Sequence, residues 1–294
     1  MSRLAQGDWP EQERIFTRKL RDGEMKMSAS HDNTTMSTIT TEQVKELRDA
    51  TGVSVMQCRK ALEEAAGDME KALIILRKKG AEVADKKADR DASDGLVIVR
   101  TDGKRALSLI MNCETDFVAK NEDFVKLANT LADIAWKDGE AAAREQAPAL
   151  INDVVLKIGE NIKLGTIEEV TGDTVGVYTH HTGKTATVIV LTGGTPEVAK
   201  EIAMHTAAMK PQFVRTSDIN DADKAQVMEA LQNEMASIDK PADMKEKIME
   251  GKIAAYFKEQ TLEEQPFFKA PDQTIKQYAT AHGATIDRFV TYTI

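Results

Sequence analysis

Gly95-Leu96-Val97-Ile98-Val99-Arg100-Thr101-Asp102-Gly103-Lys104-Arg105-Ala106-Leu107-Ser108-Leu109-Ile110-Met111 is the stretch in which the apolar period of the chain changes from helical to strand. Leu96 to Val99 is a short apolar run, Asp102-Gly103 is a strong hairpin-turn pair, and Leu107, Leu109 and Met111 alternate onto one face. This spacing predicts a β-hairpin. Downstream, Asp123 is placed to cap a helix carrying Phe124, Leu127, Leu131 and Ala135. A related order returns later: Val175-Gly176-Val177-Tyr178, a His180-His181-Thr182-Gly183 turn, a strand from Thr187 to Leu191, Gly193-Gly194, then a helix with Val198, Ile202 and Ala203. Hairpin followed by helix occurs twice, which predicts an α+β fold with a duplicated core, its sheets covered by helices. The core reads as an N-subdomain over 91–163 and a C-subdomain over 164–215 and 261–294.

Before that core, the apolar period is helical. Thr40-x-x-Gln43 is a capping-box pattern ahead of Val44 and Leu47, and Gly52 ends the helix. Ser54-x-x-Gln57 opens a second helix with Val55, Cys58, Leu62 and Ala65. Asp68 opens a third with Ala72, Leu73, Leu76 and Gly80. With the mixed-charge stretch from Lys78 to Arg90, a solvated helix or linker, these make a three-helix module over 37–90. Beyond the second repeat, Met228, Leu231, Met235 and Ile238 are followed by a break at Asp239-Lys240-Pro241 and then by Met244, Ile248 and Tyr256. This predicts an antiparallel hairpin with a coiled-coil-like seam, inserted over 216–260. The methionines read as its own seam. A helix from Ile275 to Ala281 and a last strand, with Ile286, Val290, Tyr292 and Ile294 on one face, return the chain to the core.

Composition limits the classes of function. In 294 residues, 41% are hydrophobic and 30% charged, which describes a globular chain with ample core and excludes collagen, mucin and wholesale disorder. No run approaches the roughly 18 consecutive apolar residues of a membrane span, so no membrane role is expected. Lys and Arg number 39 against 48 Asp and Glu, a net charge of -9 that argues against direct nucleic-acid binding and for a protein partner. Two cysteines, Cys58 and Cys113, form no disulfide framework and suit a reducing, cytoplasmic address. Residues 1–36 are polar and of mixed charge without an apolar h-region, which reads as a disordered or mis-annotated extension, with Met25, Met27 and Met36 as later starts.

Catalytic chemistry finds little support. Gly183-Lys184-Thr185 lacks the Gly five positions earlier, where Tyr178 stands, and sits in a hairpin turn with no helix to receive a phosphate. Cys113 with His180 or His205 is a formal thiol and base pair, but Cys113 ends an alternating strand, where a buried inert thiol is expected. The five histidines supply no metal-ligand pattern. Glu168-Glu169 reads as a solvated face. The conspicuous segment is Asn112-Cys113-Glu114-Thr115-Asp116-Phe117-Val118-Ala119-Lys120-Asn121, polar, between a strand and a helix, with an aromatic directly after an acid. Asp116 reads either as a turn residue with Phe117 as a staple under the next helix, or the pair reads as a wedge for a partner.

That loop, together with Leu47-Arg48-Asp49-Ala50-Thr51-Gly52-Val53, Cys58-Arg59-Lys60-Ala61-Leu62, Ile158-Gly159-Glu160-Asn161-Ile162, Ile202-Ala203-Met204-His205 and Gln265-Pro266-Phe267, resembles the bacterial elongation factor Ts family in one order from about Ile39 to Ile294. The resemblance implies a guanine-nucleotide exchange factor that binds elongation factor Tu and releases its GDP without covalent chemistry. It implies no cofactor or metal of the chain's own, only action on the GDP and magnesium of the partner. In fold it implies a ubiquitin-associated-like three-helix module, a two-part core and an inserted coiled-coil hairpin. By position, Thr115, Asp116, Phe117 and Val118 form the exchange loop. His180 or its neighbour His181 falls at the contact near the partner's phosphate-binding loop, and Arg48, Val55 and Met56 fall at positions touching the partner's nucleotide domain. The polar stretch before Met36 has no counterpart in the family pattern. The alternative class is a non-catalytic adaptor that uses the three-helix module for protein recognition.

Overall fold

The computed structural model describes residues 39–236 and 242–294. The expected extension over 1–36, with its later starts Met25, Met27 and Met36, lies outside the described residues, as do Ile238, the Asp239-Lys240-Pro241 break and the side chain of Met235. The fold is mixed, with helices and antiparallel sheets, and its contacts divide it into two units.

Among the described residues, the first unit comprises 39–90 together with Pro148–Ile162. Helices α1 (Thr41–Thr51), α2 (Val55–Glu64) and α3 (Met69–Lys87) each begin where a short polar side chain takes an orphaned amide. Thr40 Oγ1 accepts from Gln43 N–H at 3.2 Å while Gln43 Oε1 accepts from Thr40 N–H at 3.0 Å, and Ser54 and Asp68 cap the next two helices. Such caps contribute about 1 kcal/mol each. Gly52 closes α1 in the left-handed region, its N–H on the Arg48 carbonyl. Leu47, Cys58, Leu62 and Leu76 form a common core, joined by Leu156.

Helix α3 carries Gly80 and runs on to Lys87, so the mixed-charge stretch, read as a solvated helix or a linker, is the solvated end of this helix. Gly80 is buried because the Asn152 backbone passes so close that an added Cβ would sit 2.8 Å from the Asn152 carbonyl oxygen. One feature departs from the sequence reading: the contacts split the expected 91–163 subdomain, and Pro148–Ile162 belongs with the N-terminal helices. The helix that crosses this division, α6 (Glu140–Ile158), carries Pro148 inside it. Asn161 Nδ2 closes the first unit by donating to the Ala88 and Arg90 carbonyls, at 3.3 and 2.7 Å.

The second unit is built on two three-stranded antiparallel sheets. Strands β1 (Asp94–Thr101), β2 (Arg105–Cys113) and β3 (Lys163–Thr171) form one, in that order. Strands β4 (Thr174–Thr179), β5 (Thr185–Gly193) and β8 (Ala284–Thr293) form the other. The sheets meet through Val97, Ala106, Val170, Val188, Val190 and Tyr292. On the outer face of the first lies α5 (Glu122–Asp138), over β1 and β2. On the outer face of the second, α7 (Pro196–Met209) and α10 (Ile275–Ala281) bury Ile189, Leu191, Ile202 and Ile286. Each such side chain contributes roughly 1.5–3 kcal/mol by leaving water. The single-turn helix α4 (Asp116–Ala119) precedes α5.

Three local expectations are corrected. The cap of α5 is Asn121, whose Oδ1 accepts from Asp123 N–H at 2.9 Å, not Asp123 itself. Ile286 does not share a face with Val290, Tyr292 and Ile294: the register slips by one residue where Ile286 and Arg288 pair with Leu191 and Val190. That bulge turns Ile286 toward the helices while Tyr292 points between the sheets. Glu168 is not merely solvated, because Tyr292 Oη donates to it across the two sheets at 2.9 Å. Burial, reinforced by that bond, pushes the Tyr292 phenol up, so it remains a donor.

Between α7 and the short ribbon of β6 (Pro266–Phe267) and β7 (Ala270–Thr274), helices α8 (Asp221–Ala236) and α9 (Ala242–Gln260) pack against one another. At their base the chain is zipped: Gln212 and Phe213 N–H donate to the Gln260 carbonyl, and Leu262 and Glu263 N–H donate to the Phe213 and Val214 carbonyls. Phe213 and Phe257 meet edge to face there. Val227, Leu231, Tyr256 and Phe257 line a cavity of about 300 Å³ between the two helices near the base. Met228 and Met244, expected in the seam, are instead 37% and 50% exposed.

Candidate functional site

The Thr115–Val118 loop is shaped by how β2 ends. Asp94, first in β1, pairs with Cys113, last in β2, and the buried Cys113 thiol donates to the Thr115 carbonyl at 3.2 Å. Thr115 is extended, and its hydroxyl accepts from Val118 N–H, which starts α4. One turn later the helix stops: Lys120 and Asn121 N–H donate back to the Phe117 and Val118 carbonyls, and Asn121 caps α5. Val118 and Ala119 face the core. Asp116 pairs with Lys120 at 2.8 Å on the surface, and Phe117 is 81% exposed. The staple reading of Phe117 therefore fails, and Val118, grouped with the contact residues from sequence, is the anchor that holds the turn down.

The second repeat shows why this exposure belongs to the backbone. Thr195 starts α7 with nearly the same dihedrals as Thr115 and the same bond, its hydroxyl accepting from Val198 N–H. Val198 is buried like Val118. In that repeat the position of Phe117 is held by Glu197, an exposed carboxylate. The outward position is thus ordinary for a solvated charge, and the first repeat fills it with an aromatic ring, in a chain with only 8 Phe and 2 Trp.

The His180 turn joins β4 to β5. His180 N–H donates to the Thr185 carbonyl and Gly183 N–H to the His180 carbonyl, with Gly183 at φ 72°, where a side chain would be strained. His180 Nδ1 lies 2.9 Å from Thr182 Oγ1, and the two imidazoles are 4.1 Å apart. His180 is half-buried and His181 exposed. Lys184 is no phosphate ligand of a loop-and-helix kind: its Nζ is 2.7 Å from Asp94 Oδ2. The Lys184 ammonium holds the Asp94 carboxyl below the usual carboxylate range, and Asp94 raises Lys184 in turn. The turn is therefore brought to the same end of the second unit as Thr115–Val118. No local pattern in the sequence links Asp94 to Lys184, ninety positions apart.

Arg48, Val55 and Met56 belong to the first unit. Arg48 is exposed in the last turn of α1, and Val55 and Met56, in the first turn of α2, are 50% and 64% exposed. Cys113 is buried, as expected of an inert thiol, and His205 is held by structural bonds. His205 is buried in α7, where its Nδ1 accepts from Phe268 N–H and its Nε2–H donates to Gln265 Oε1 at 2.9 Å. Burial lowers its pKa. Among the described residues, no cluster of three or more His, Cys, Asp or Glu is placed to hold a metal, and no helix is long and apolar enough to cross a membrane.

Residues 114–294 match the family model described as elongation factor TS. The chain is also similar to elongation factor Ts of Aeromonas salmonicida (strain A449), at 38% identity over 269 residues, covering 88% of this chain and 92% of that protein.

Proposed function

This chain belongs to the elongation factor Ts family, and from that premise we propose that it is the guanine-nucleotide exchange factor of a cytoplasmic elongation factor Tu. The observation that carries the reading is Phe117, an aromatic side chain left 81% exposed on a turn that the core holds rigid. In this reading Asp116 and Phe117 enter the partner beside its magnesium and switch region, and His180 or His181 meets its phosphate-binding loop. Arg48, Val55 and Met56 touch its nucleotide domain. The three N-terminal helices act as a ubiquitin-associated-like module, and α8 and α9 as an antiparallel coiled-coil hairpin.

The factor makes and breaks no covalent bond, and it needs no cofactor of its own. It binds the loosened conformation of its partner better than the GDP-tight one, and linkage requires that GDP weaken its binding by the same factor. Magnesium bridges protein and diphosphate, so displacing its ligands removes a large local electrostatic attraction. A coupling of about 3 kcal/mol expressed in the off-rate speeds GDP release roughly a hundredfold. The test is release of labelled GDP from elongation factor Tu with and without this chain. Acceleration that saturates with added factor supports the reading, and an unchanged release rate overturns it.

A further inference from the structure

The two contact segments of the second unit are far apart in sequence, so something must hold them in one geometry if they are to act on one nucleotide site. We propose that Lys184 is a positioning residue for exchange: by closing on Asp94 it locks the His180 turn and the Phe117 turn into a single rigid contact surface. The proposal rests on the exchange-factor reading above.

The links between the two turns are defined hydrogen bonds and one step of strand register. Lys184 Nζ lies 2.7 Å from Asp94 Oδ2, and Asp94 Oδ1 accepts from Gly95 N–H at 2.7 Å, so both carboxylate oxygens are held. The backbone on either side of Lys184 is pinned as well: the Gly183 carbonyl accepts from Val97 N–H at 2.8 Å and the Lys184 carbonyl from Ile294 N–H at 3.0 Å. Asp94 is opposite Cys113 in the β1–β2 register, Cys113 donates to the Thr115 carbonyl, and Thr115 caps the turn that carries Phe117.

The pair is not a free surface contact. Its side chains are 35% and 20% exposed for Lys184 and Asp94, so the pair is partly shielded from solvent. The Asp116 carboxylate of the Phe117 turn adds, after Asp94, to the negative charge that favours the Lys184 ammonium. A lysine reaching across two sheets to the first residue of a hairpin sets where that hairpin's far strand releases the chain. Displacement of a contact group by about 1 Å costs on the order of a hundredfold in systems that act by positioning.

The experiment compares Lys184→Gln, Asp94→Asn, the double variant and Lys184→Arg in labelled-GDP release from elongation factor Tu, over a range of factor concentrations. Both single variants are expected to lower the saturating release rate about tenfold while the half-saturating concentration moves less than about threefold. The double variant should lose no more than either single one, as for two residues acting through one contact. Lys184→Arg, which keeps the pair, should retain the wild-type rate. Hydrogen exchange of the 116–121 amides should quicken in both single variants and not in α7.

Asp94→Asn separates this role from direct contact of Lys184 with the partner, because it leaves the lysine in place. If Asp94→Asn exchanges like wild type, or if both single variants do, the positioning role is overturned. A wild-type chain that fails to accelerate GDP release defeats the exchange-factor reading instead, so the two failures are distinct.

Discussion

In the proposed exchange mechanism, truncating Phe117 to alanine removes the side chain that enters the partner. A phenylalanine side chain covers about 150–250 Å² when fully buried, and Phe117 is 81% exposed in the free factor. Docking it therefore takes on the order of 150 Å² of apolar surface from water. At about 25 cal/mol per Å² this is worth roughly 4 kcal/mol, of which alanine keeps about a quarter. Ordering and association costs absorb part of the remainder. The expected loss is about 2–3 kcal/mol in the transition state for GDP release, or roughly 30- to 150-fold in the accelerated rate. The fold should not notice, because a side chain this exposed contributes within about 0.5 kcal/mol to stability. Val118→Ala is the matched control, since Val118 is buried beside it and should cost about 1 kcal/mol of stability through lost packing. Stopped-flow release of labelled GDP at saturating factor, with thermal melts of both variants, gives the comparison. If Phe117→Ala accelerates release as well as wild type while folded, Phe117 is not the wedge.

Gly80→Ala gains helix propensity of about 1 kcal/mol but places a methyl 2.8 Å from the Asn152 carbonyl. Overpacking of about 1–3 kcal/mol wins, so the melting temperature should fall, and a rise would contradict the close approach. His205 has its pKa lowered by burial, so the unfolded chain binds the proton more readily. Its contribution to stability is complete above the ordinary histidine value of about 6.5 and is lost as pH falls from there through the folded pKa. Melts of wild type and His205→Gln between pH 7.5 and 5 test this, with the difference between them expected to shrink at low pH. Replacing 224–253 with a short Gly-Ser turn should leave the second unit folded with a melting temperature within a few degrees, since Phe213 and Phe257 stay in place. Loss of cooperative unfolding would show that the hairpin supports the core.

What could be read from the sequence was local. Thr40 with Gln43, Ser54, Asp68 and the Asp102-Gly103 pair each do within four residues what their chemistry demands, and alternation at Leu107, Leu109 and Met111 marks a strand with no further context. The rest depends on what arrives from elsewhere in the chain. Gly80 looks like an ordinary helical position until Asn152 is known to press against it, and Ile286 looks in phase with Tyr292 until pairing with β5 inserts a bulge. Helix α6 serves two units, so its two halves answer to different cores. At the site, the Phe117 turn was visible as a polar loop with a misplaced aromatic. The burial of Val118 and the bond from Lys184 to Asp94 were not, because neither is encoded by spacing along the chain.

The zipped base of the α8–α9 segment has an evolutionary consequence. Because Phe213 and Thr261 bridge directly although about fifty residues separate them, the core sees only two adjacent chain ends, whatever lies between. Closing a loop of twice that length adds only about 0.6 kcal/mol. Descendants of this sequence are therefore free to lengthen, shorten or redecorate the projection with little penalty to the body that carries it. Selection can tune its reach separately from the sheets beneath.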